Sequence, residues 1–317
     1  MRTIAAVSVA AFISGFTSDA ARLKLEYVVI VTRHGVRAPT WETERLNRYS
    51  SEPWPVWGVP PGHLTTRGRM LMGLMGSYYG AWLSSEGLLP RTGCEGAARI
   101  YIWADTDQRT IETGRALAGT LVPGCTIPVH AQAGGGDDPL FDPIAAGLVE
   151  PDLAIAAQAV RDRLGPEPQR VLESHRRNFE TLQDILTGGA PAPKKVFEWP
   201  ADISVTVQDK AVALNGPLSV ASTLTENFLL EYTNGFQGRD LGWGRLNADN
   251  LVRVLELHGT YADLMRRTPY LARARSSNLL AHVLRSLRQA ETGHAVSGAL
   301  GRAGDAVLIL SGHDTNL

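Results

Sequence analysis

The chain has 317 residues, 44% of them apolar and 20% charged. Those are the proportions of a folded globular protein of about two domains, which excludes a disordered, collagenous or coiled-coil chain. Lys and Arg number 31 against 32 Asp and Glu, a formal net charge of -1. Nothing in that balance draws the chain to nucleic acid or to an anionic membrane, so an anion site has to be a local cluster of cations.

The N-terminus opens with Met1-Arg2, continues through an almost wholly small or apolar stretch over 3–16, and reaches Ser18-Asp19-Ala20. A basic start, a short apolar run and a small-x-small site predict a signal peptide over 1–20, hence a periplasmic or secreted protein free of the membrane after cleavage. The run 26–32 (EYVVIVT) is β-branched and continuous, the pattern of a strand buried on both faces. The Pro- and Trp-rich segment 41–62 reads as a long loop with one helical turn. A helix capped near Thr65 follows, and its stripe of Met70, Leu71, Leu74, Met75, Tyr78, Tyr79 and Trp82 predicts a core-facing side.

A second strand is predicted over 99–104 (RIYIWA) and a helix from Arg109 to the stop at Pro123-Gly124. Cys94 and Cys125 flank this pair. An even cysteine count in an exported protein predicts that they form a disulfide. Helical patterns dominate from about 148 to 288, interrupted by a short strand pair over 203–213 and a Gly-rich turn over 235–244. A last strand, 305–310 (DAVLIL), runs into Ser311-Gly312-His313-Asp314. Strand and helix alternation bracketing a helical middle indicates an α/β sheet domain with a mainly helical insertion. The boundaries drawn are 21–150 together with 268–317 for the sheet domain and 151–267 for the insertion.

Each strand exit carries chemistry: 33–37, 105–109 and 313–314. In open α/β sheets ligands bind at the carboxyl ends of the strands, so the three exits are expected to meet in one cleft. Arg33-His34-Gly35-Val36-Arg37 sets a histidine, a competent nucleophile when neutral, between two guanidiniums whose forks suit phosphate oxygens. No Cys/His cluster has zinc spacing and no phosphate-binding P-loop occurs, so neither metal nor cofactor is called for.

The stretch RHGVRAPT resembles the histidine acid phosphatases, the phosphatase branch of the phosphoglycerate-mutase-like superfamily, and within it the bacterial periplasmic phytase and acid phosphatase group. LTTRGRMLMG, ADTDQRTIETG, DPLFDP, LTENFLLEY, GWGR, RRTPYLARAR and GHDTN follow in the family's order. The resemblance implies a metal-independent phosphomonoester hydrolase on a phosphoglycerate-mutase-like α/β sheet domain, with a small phosphomonoester as its partner. It assigns His34 as the nucleophile that accepts the phosphoryl group and Arg33, Arg37, Arg109 and His313 as its phosphate ligands. Asp314 becomes the acid that protonates the leaving oxygen. Thr40, Trp41, Asp105 and Glu226 are candidates for contacting substrate, with a structural ion pair as the competing role of Asp105 and a helix-surface position that of Glu226. Asp314 must be protonated to act as acid, which predicts an acidic optimum.

Two features depart from the family. Trp41 stands where the enteric phytases carry a lysine, which points to a broader substrate range and to stacking on a sugar or apolar leaving group. The family continues beyond HDTN with a helix, further strands and a GGEL-type segment. The C-terminal part of the fold is therefore expected to be missing, with lower stability and activity. The competing functions are a phosphomutase of the same superfamily and a non-catalytic phospholigand-binding relative.

Overall fold

The structure, a computed structural model, describes residues 24–208 and 211–317. The signal-peptide segment over 1–20 lies outside the described residues. Four parallel strands build the main sheet: β1 (Val28–Arg33), β2 (Ile100–Ala104), β3 (Val129–His130) and β6 (Val307–Gly312), in the order β1-β6-β2-β3. The last strand of the sequence thus lies between the first two. Val28 to Arg33 pair in register with Val307 to Gly312, and Ile100 to Ala104 with Val307 to Ser311. Every residue of β6 is buried, as a continuous apolar run at the centre of a sheet requires. β1 departs from the expectation drawn from its sequence. It is an edge strand of the described sheet, and only Ile30 is fully buried.

Alternate residues of the strands feed opposite layers. Ile30, Ile102, Val307 and Ile309 pack with Leu83, Leu117 and Leu121, from α2 (Thr66–Ser85) and α3 (Gln108–Leu121). Leu308 and Leu310 face the other way, onto Phe141 and Leu279 of α9 (Pro269–Thr292). The predicted core stripe of α2 holds for Tyr79 and Trp82, which pack against this layer, and is corrected at other positions. Met70, Leu74, Met75 and Tyr78 are exposed, whereas Gly68, Gly76, Gly80 and Leu83 are the buried positions. A Cβ on Gly76 would come within 2.6 Å of the Leu117 carbonyl oxygen, and one on Gly80 within 2.1 Å of that of Leu121. The helices touch backbone to backbone, so the glycine face turns inward and Met70, Leu74, Met75 and Tyr78 turn outward. The disulfide Cys94–Cys125 forms as expected and closes a separation of 31 residues beside this layer.

A second core is helical. It draws on α4 (Leu153–Leu164), α6 (Arg176–Thr187), α7 (Pro217–Asn234) and α8 (Ala248–Met265), with the short α5 (Gln169–Ser174) alongside. Leu218, Ala221, Leu224 and Phe228 of α7 recur at three- and four-residue intervals and are all fully buried, as an amphipathic helix predicts. Gly188, Gly235 and Gly293 end α6, α7 and α9 in the left-handed conformation. The antiparallel pair β4 (Ser204–Gln208) and β5 (Ala211–Asn215) matches the predicted strand pair. Leu46, at the end of the single helical turn α1 (Thr43–Leu46), joins this core together with Tyr49 and Trp54.

Candidate active site

The three strand exits do meet. His34 N donates to Gly312 O at 2.9 Å and Asp105 N to Ser311 O at 3.0 Å, so the ladder carries both exits past the last paired residues. The loop after β1 is then zipped to the entry of α2. Thr65 N donates to Val36 O and Ala38 N to His63 O, both at 2.9 Å. Gly35 N donates to Thr113 Oγ1 on α3 at 2.9 Å. A Cβ on Gly68 would lie 2.2 Å from Val36 O, so only glycine lets α2 start this close to the loop. The outcome is a buried His34 whose ring centroid is 5.4 Å from that of His313, near enough for both to touch one small anion.

His34 Nδ1 lies 2.7 Å from Gly35 O. A carbonyl only accepts, so Nδ1 carries the hydrogen and the Nε2 lone pair of the neutral ring is left free. Burial, with the charges of Arg33, Arg109 and Arg37, outweighs that hydrogen bond and lowers the His34 pKa to about 2. The imidazole is therefore neutral throughout the mildly acidic range.

Glu226 of α7 holds two of the arginines. Arg33 Nη2 donates to its Oε1 at 2.7 Å and Arg37 Nη2 to its Oε2 at 3.0 Å. Arg109, in the first turn of α3, pairs with Asp107 at 2.6 Å. His313 Nε2 lies 2.7 Å from Asp105 Oδ2, and Arg109 Nη2 lies 3.5 Å from His313 Nδ1. The Nε hydrogens of Arg33 and Arg109 are buried without a protein partner, donors that an anion would satisfy. Asp314 Oδ2 accepts from Arg266 Nη1 at 2.5 Å. Burial raises the pKa of Asp314, but Arg266, Arg33 and His258 outweigh it and hold the carboxyl below its ordinary value. His34, Arg37, Asp105, Asp107, Arg109, His313 and Asp314 line one cavity of about 300 Å³.

The sequence of the described chain matches the family model of the histidine phosphatase superfamily (branch 2) over residues 24–317. The chain belongs to that superfamily. Branch 2 relatives include Phytase AppA of Escherichia coli (strain K12), 35% identical, with 96% of this chain aligned to 72% of that protein. Glucose-1-phosphatase of Salmonella typhimurium is 30% identical, with 93% of this chain aligned to 69% of that protein. Among solved structures, Hafnia alvei phytase in complex with tartrate superposes with a TM-score of 0.83 at 33% identity, covering 92% of this chain and 73% of that one. The histidine phosphatase assignment makes the protein a phosphatase acting on small phosphate esters.

Several candidates of this histidine phosphatase stand elsewhere than expected. Thr40 is exposed, and neither it nor Trp41 lines the cavity. The Arg45 guanidinium sits 3.6 Å from the centroid of the Trp41 ring, so that surface, offered above to a sugar, holds a cation already. Asp105 does line the cavity, in the pairing given above as its competing role, with His313 as the partner and Asp107 as the carboxylate on Arg109. Glu226 is neither a free substrate contact nor a surface carboxylate, since both its oxygens are engaged. Asp107 and Arg266 escaped the sequence reading, although each lies in a quoted motif, the D-x-D pair and RRTP. Asp105, Asp107 and His313 bring ligand atoms within 4.8 Å of one another. Arg109 already stands on Asp107 there, and its charge opposes a cation at that spot. Among the described residues no helix is long and apolar enough to cross a membrane.

Proposed function

We propose that this phosphatase hydrolyses phosphomonoesters through a phosphohistidine on His34, at acidic pH and outside the cytoplasm. His34 Nε2 attacks phosphorus while the bond from phosphorus to the ester oxygen breaks. Asp314 gives its proton to that oxygen. Water then attacks the phosphohistidine and loses a proton to the Asp314 carboxylate, the P–N bond breaks, and inorganic phosphate leaves a neutral His34. Arg33, Arg37, Arg109 and His313 bind the phosphoryl oxygens and neutralise their charge, which is most of what phosphoryl transfer asks of a protein. The observation that carries the reading is the imidazole itself, neutral, fixed by Gly35 O and enclosed by three guanidiniums.

The relatives' names point to phytate and glucose 1-phosphate as substrates. Arg45 over Trp41 keeps a positive charge near the position of the enteric lysine, which supports a polyphosphorylated substrate alongside simpler esters. The segment 151–267 acts as an inserted helical domain that braces the clamp through Glu226. The segment 1–20 directs export.

The test is a hydrolysis panel at pH 5 of p-nitrophenyl phosphate, glucose 1-phosphate and phytate, with wild type and His34→Ala. Wild type is expected to release phosphate and the variant to lose at least a thousandfold, while a ³²P-labelled ester leaves acid-labile label on wild type alone. Equal release by both proteins would remove His34 from the reaction. With wild type, the rate on p-nitrophenyl phosphate should not fall as pH drops from 6.5 towards 3, because His34 takes up no proton there.

A further inference from the structure

The proposed proton donor does not stand free. Arg266 Nη1 lies 2.5 Å from Asp314 Oδ2, an ion pair that favours the carboxylate, the wrong protonation state for an acid. Arg266 is fixed in place as the C-cap of α8, its N–H bonded to Ala262 O at 2.8 Å. The charges acting on Asp314 are Arg33 at the end of β1, His258 on α8 and Arg266 at its C-cap, while His34, His313 and Asp142 share its cavity. Burial favours the protonated form, and among the described residues the hydrogen-bonded pair with Arg266 is the direct side-chain contact that opposes it.

Arg266 also lines a second cavity, of about 750 Å³, together with Arg275. The two cavities share Phe141, Asp142 and Thr315, so one ligand can extend from one into the other. Arg275 is largely buried, and burial and the nearby Arg266 lower its pKa. Two guanidiniums so close are poised to accept an anion between them.

We propose that Arg266 is a positioning residue that holds Asp314 as a carboxylate until a second phosphate group of the substrate, seated in the adjoining cavity, takes over its guanidinium. Asp314, relieved of its nearest cation, takes a proton from solvent and passes it to the ester oxygen as the bond to phosphorus breaks. The inference rests on the role given to Asp314 above. It gives bisphosphorylated and more highly phosphorylated esters the higher kcat near neutral pH, because those substrates release Asp314 to take up its proton there.

The experiment compares pH profiles of kcat, which report the enzyme–substrate complex, for glycerol 2-phosphate, fructose 1,6-bisphosphate and p-nitrophenyl phosphate. Activity that needs protonated Asp314 falls about tenfold for each pH unit above its pKa. In wild type the alkaline limb for the bisphosphate should lie about one unit above that for glycerol 2-phosphate. Arg266→Gln should raise the glycerol 2-phosphate limb to meet it, and Arg266→Lys should retain the separation. Nitrophenolate leaves without a proton, so the p-nitrophenyl phosphate limb should not move in either variant. Coincident limbs in wild type, a measurement that needs no variant, would overturn the proposal, as would an undiminished separation in Arg266→Gln. Asp314→Asn isolates the underlying assignment: it should lose glycerol 2-phosphate at least a hundredfold more than p-nitrophenyl phosphate. Equal losses there would refute Asp314 as the acid, whatever Arg266 does.

Discussion

Glu231 offers the sharpest test of the electrostatics of this fold. It lies on α7, five residues after Glu226, and is 1% exposed within the helical core. Its Oε2 accepts the N–H of Gly242 at 2.9 Å, which ties down the Gly-rich turn, while Oε1 has no partner. That turn carries Trp243 at a φ of 56°, and the ring packs edge-on against Trp54 at 5.0 Å. Burial pushes the carboxyl up from 4.5 to about 8, against the hydrogen bond from Gly242 and with help from the charge of Asp240. A raised folded-state pKa means that the native state binds the proton more tightly than the unfolded one. The associated stability is complete below pH 4.5 and is lost as pH climbs to about 8. At about 1.4 kcal/mol per pH unit, the loss is roughly 3 kcal/mol by pH 7 and roughly 4 kcal/mol by pH 8.

Glu231→Gln removes the titration. The amide oxygen keeps the bond to Gly242, and the buried amide nitrogen, without a partner, costs ~1–3 kcal/mol. The variant should therefore lose ground to wild type at acidic pH and be more stable than it at pH 8, with a crossover between about pH 5 and pH 7. Urea titrations followed by tryptophan fluorescence at pH 5, 6.5 and 8 measure this. The difference between the two proteins is the quantity to follow. His34 contributes with the opposite sign, its depressed pKa giving stability that is present above 6.5 and lost as pH falls towards about 2. That contribution cancels in the comparison. A difference that stayed constant within about 0.5 kcal/mol over the three pH values would mean that Glu231 ionises in the fold as it does in water, and the reasoning would fail.

Two further expectations concern the sheet domain. Gly80→Ala sets a methyl group against the Leu121 carbonyl and should cost ~1–3 kcal/mol, read as a fall in Tm, whereas Gly119→Ala, with open space around it, should not lower Tm. Replacing both cysteines with serine should lower unfolding stability by ~3–4 kcal/mol, from the 31-residue loop, while p-nitrophenyl phosphate turnover at 25 °C is retained.

What the sequence made legible and what it hid follow one physical division. The residues of the candidate site were readable because each follows a strand, and parallel strands of one sheet must release their exits on one side; His34, Asp105 and His313 needed nothing more to converge. The order that makes this work, with β6 between β1 and β2, was not readable, since period and propensity say nothing of which strand is central. The α2 stripe misled for a related reason. Apolar periodicity identifies a face but not its direction, and here backbone contact through Gly76 and Gly80 won over the larger side chains. The ion pairs were hidden most thoroughly. Glu226 on Arg33 and Arg37, and Arg266 on Asp314, join positions 193, 189 and 48 residues apart, and charge alone does not choose a partner at such distances. Yet one of them, Arg266 on Asp314, helps to hold the carboxyl of the proposed acid below its ordinary pKa. The proposed catalytic groups of this phosphatase are local features of strand ends, while the protonation states proposed for them depend on the tertiary fold, on burial and on the arginines that it brings beside His34 and Asp314.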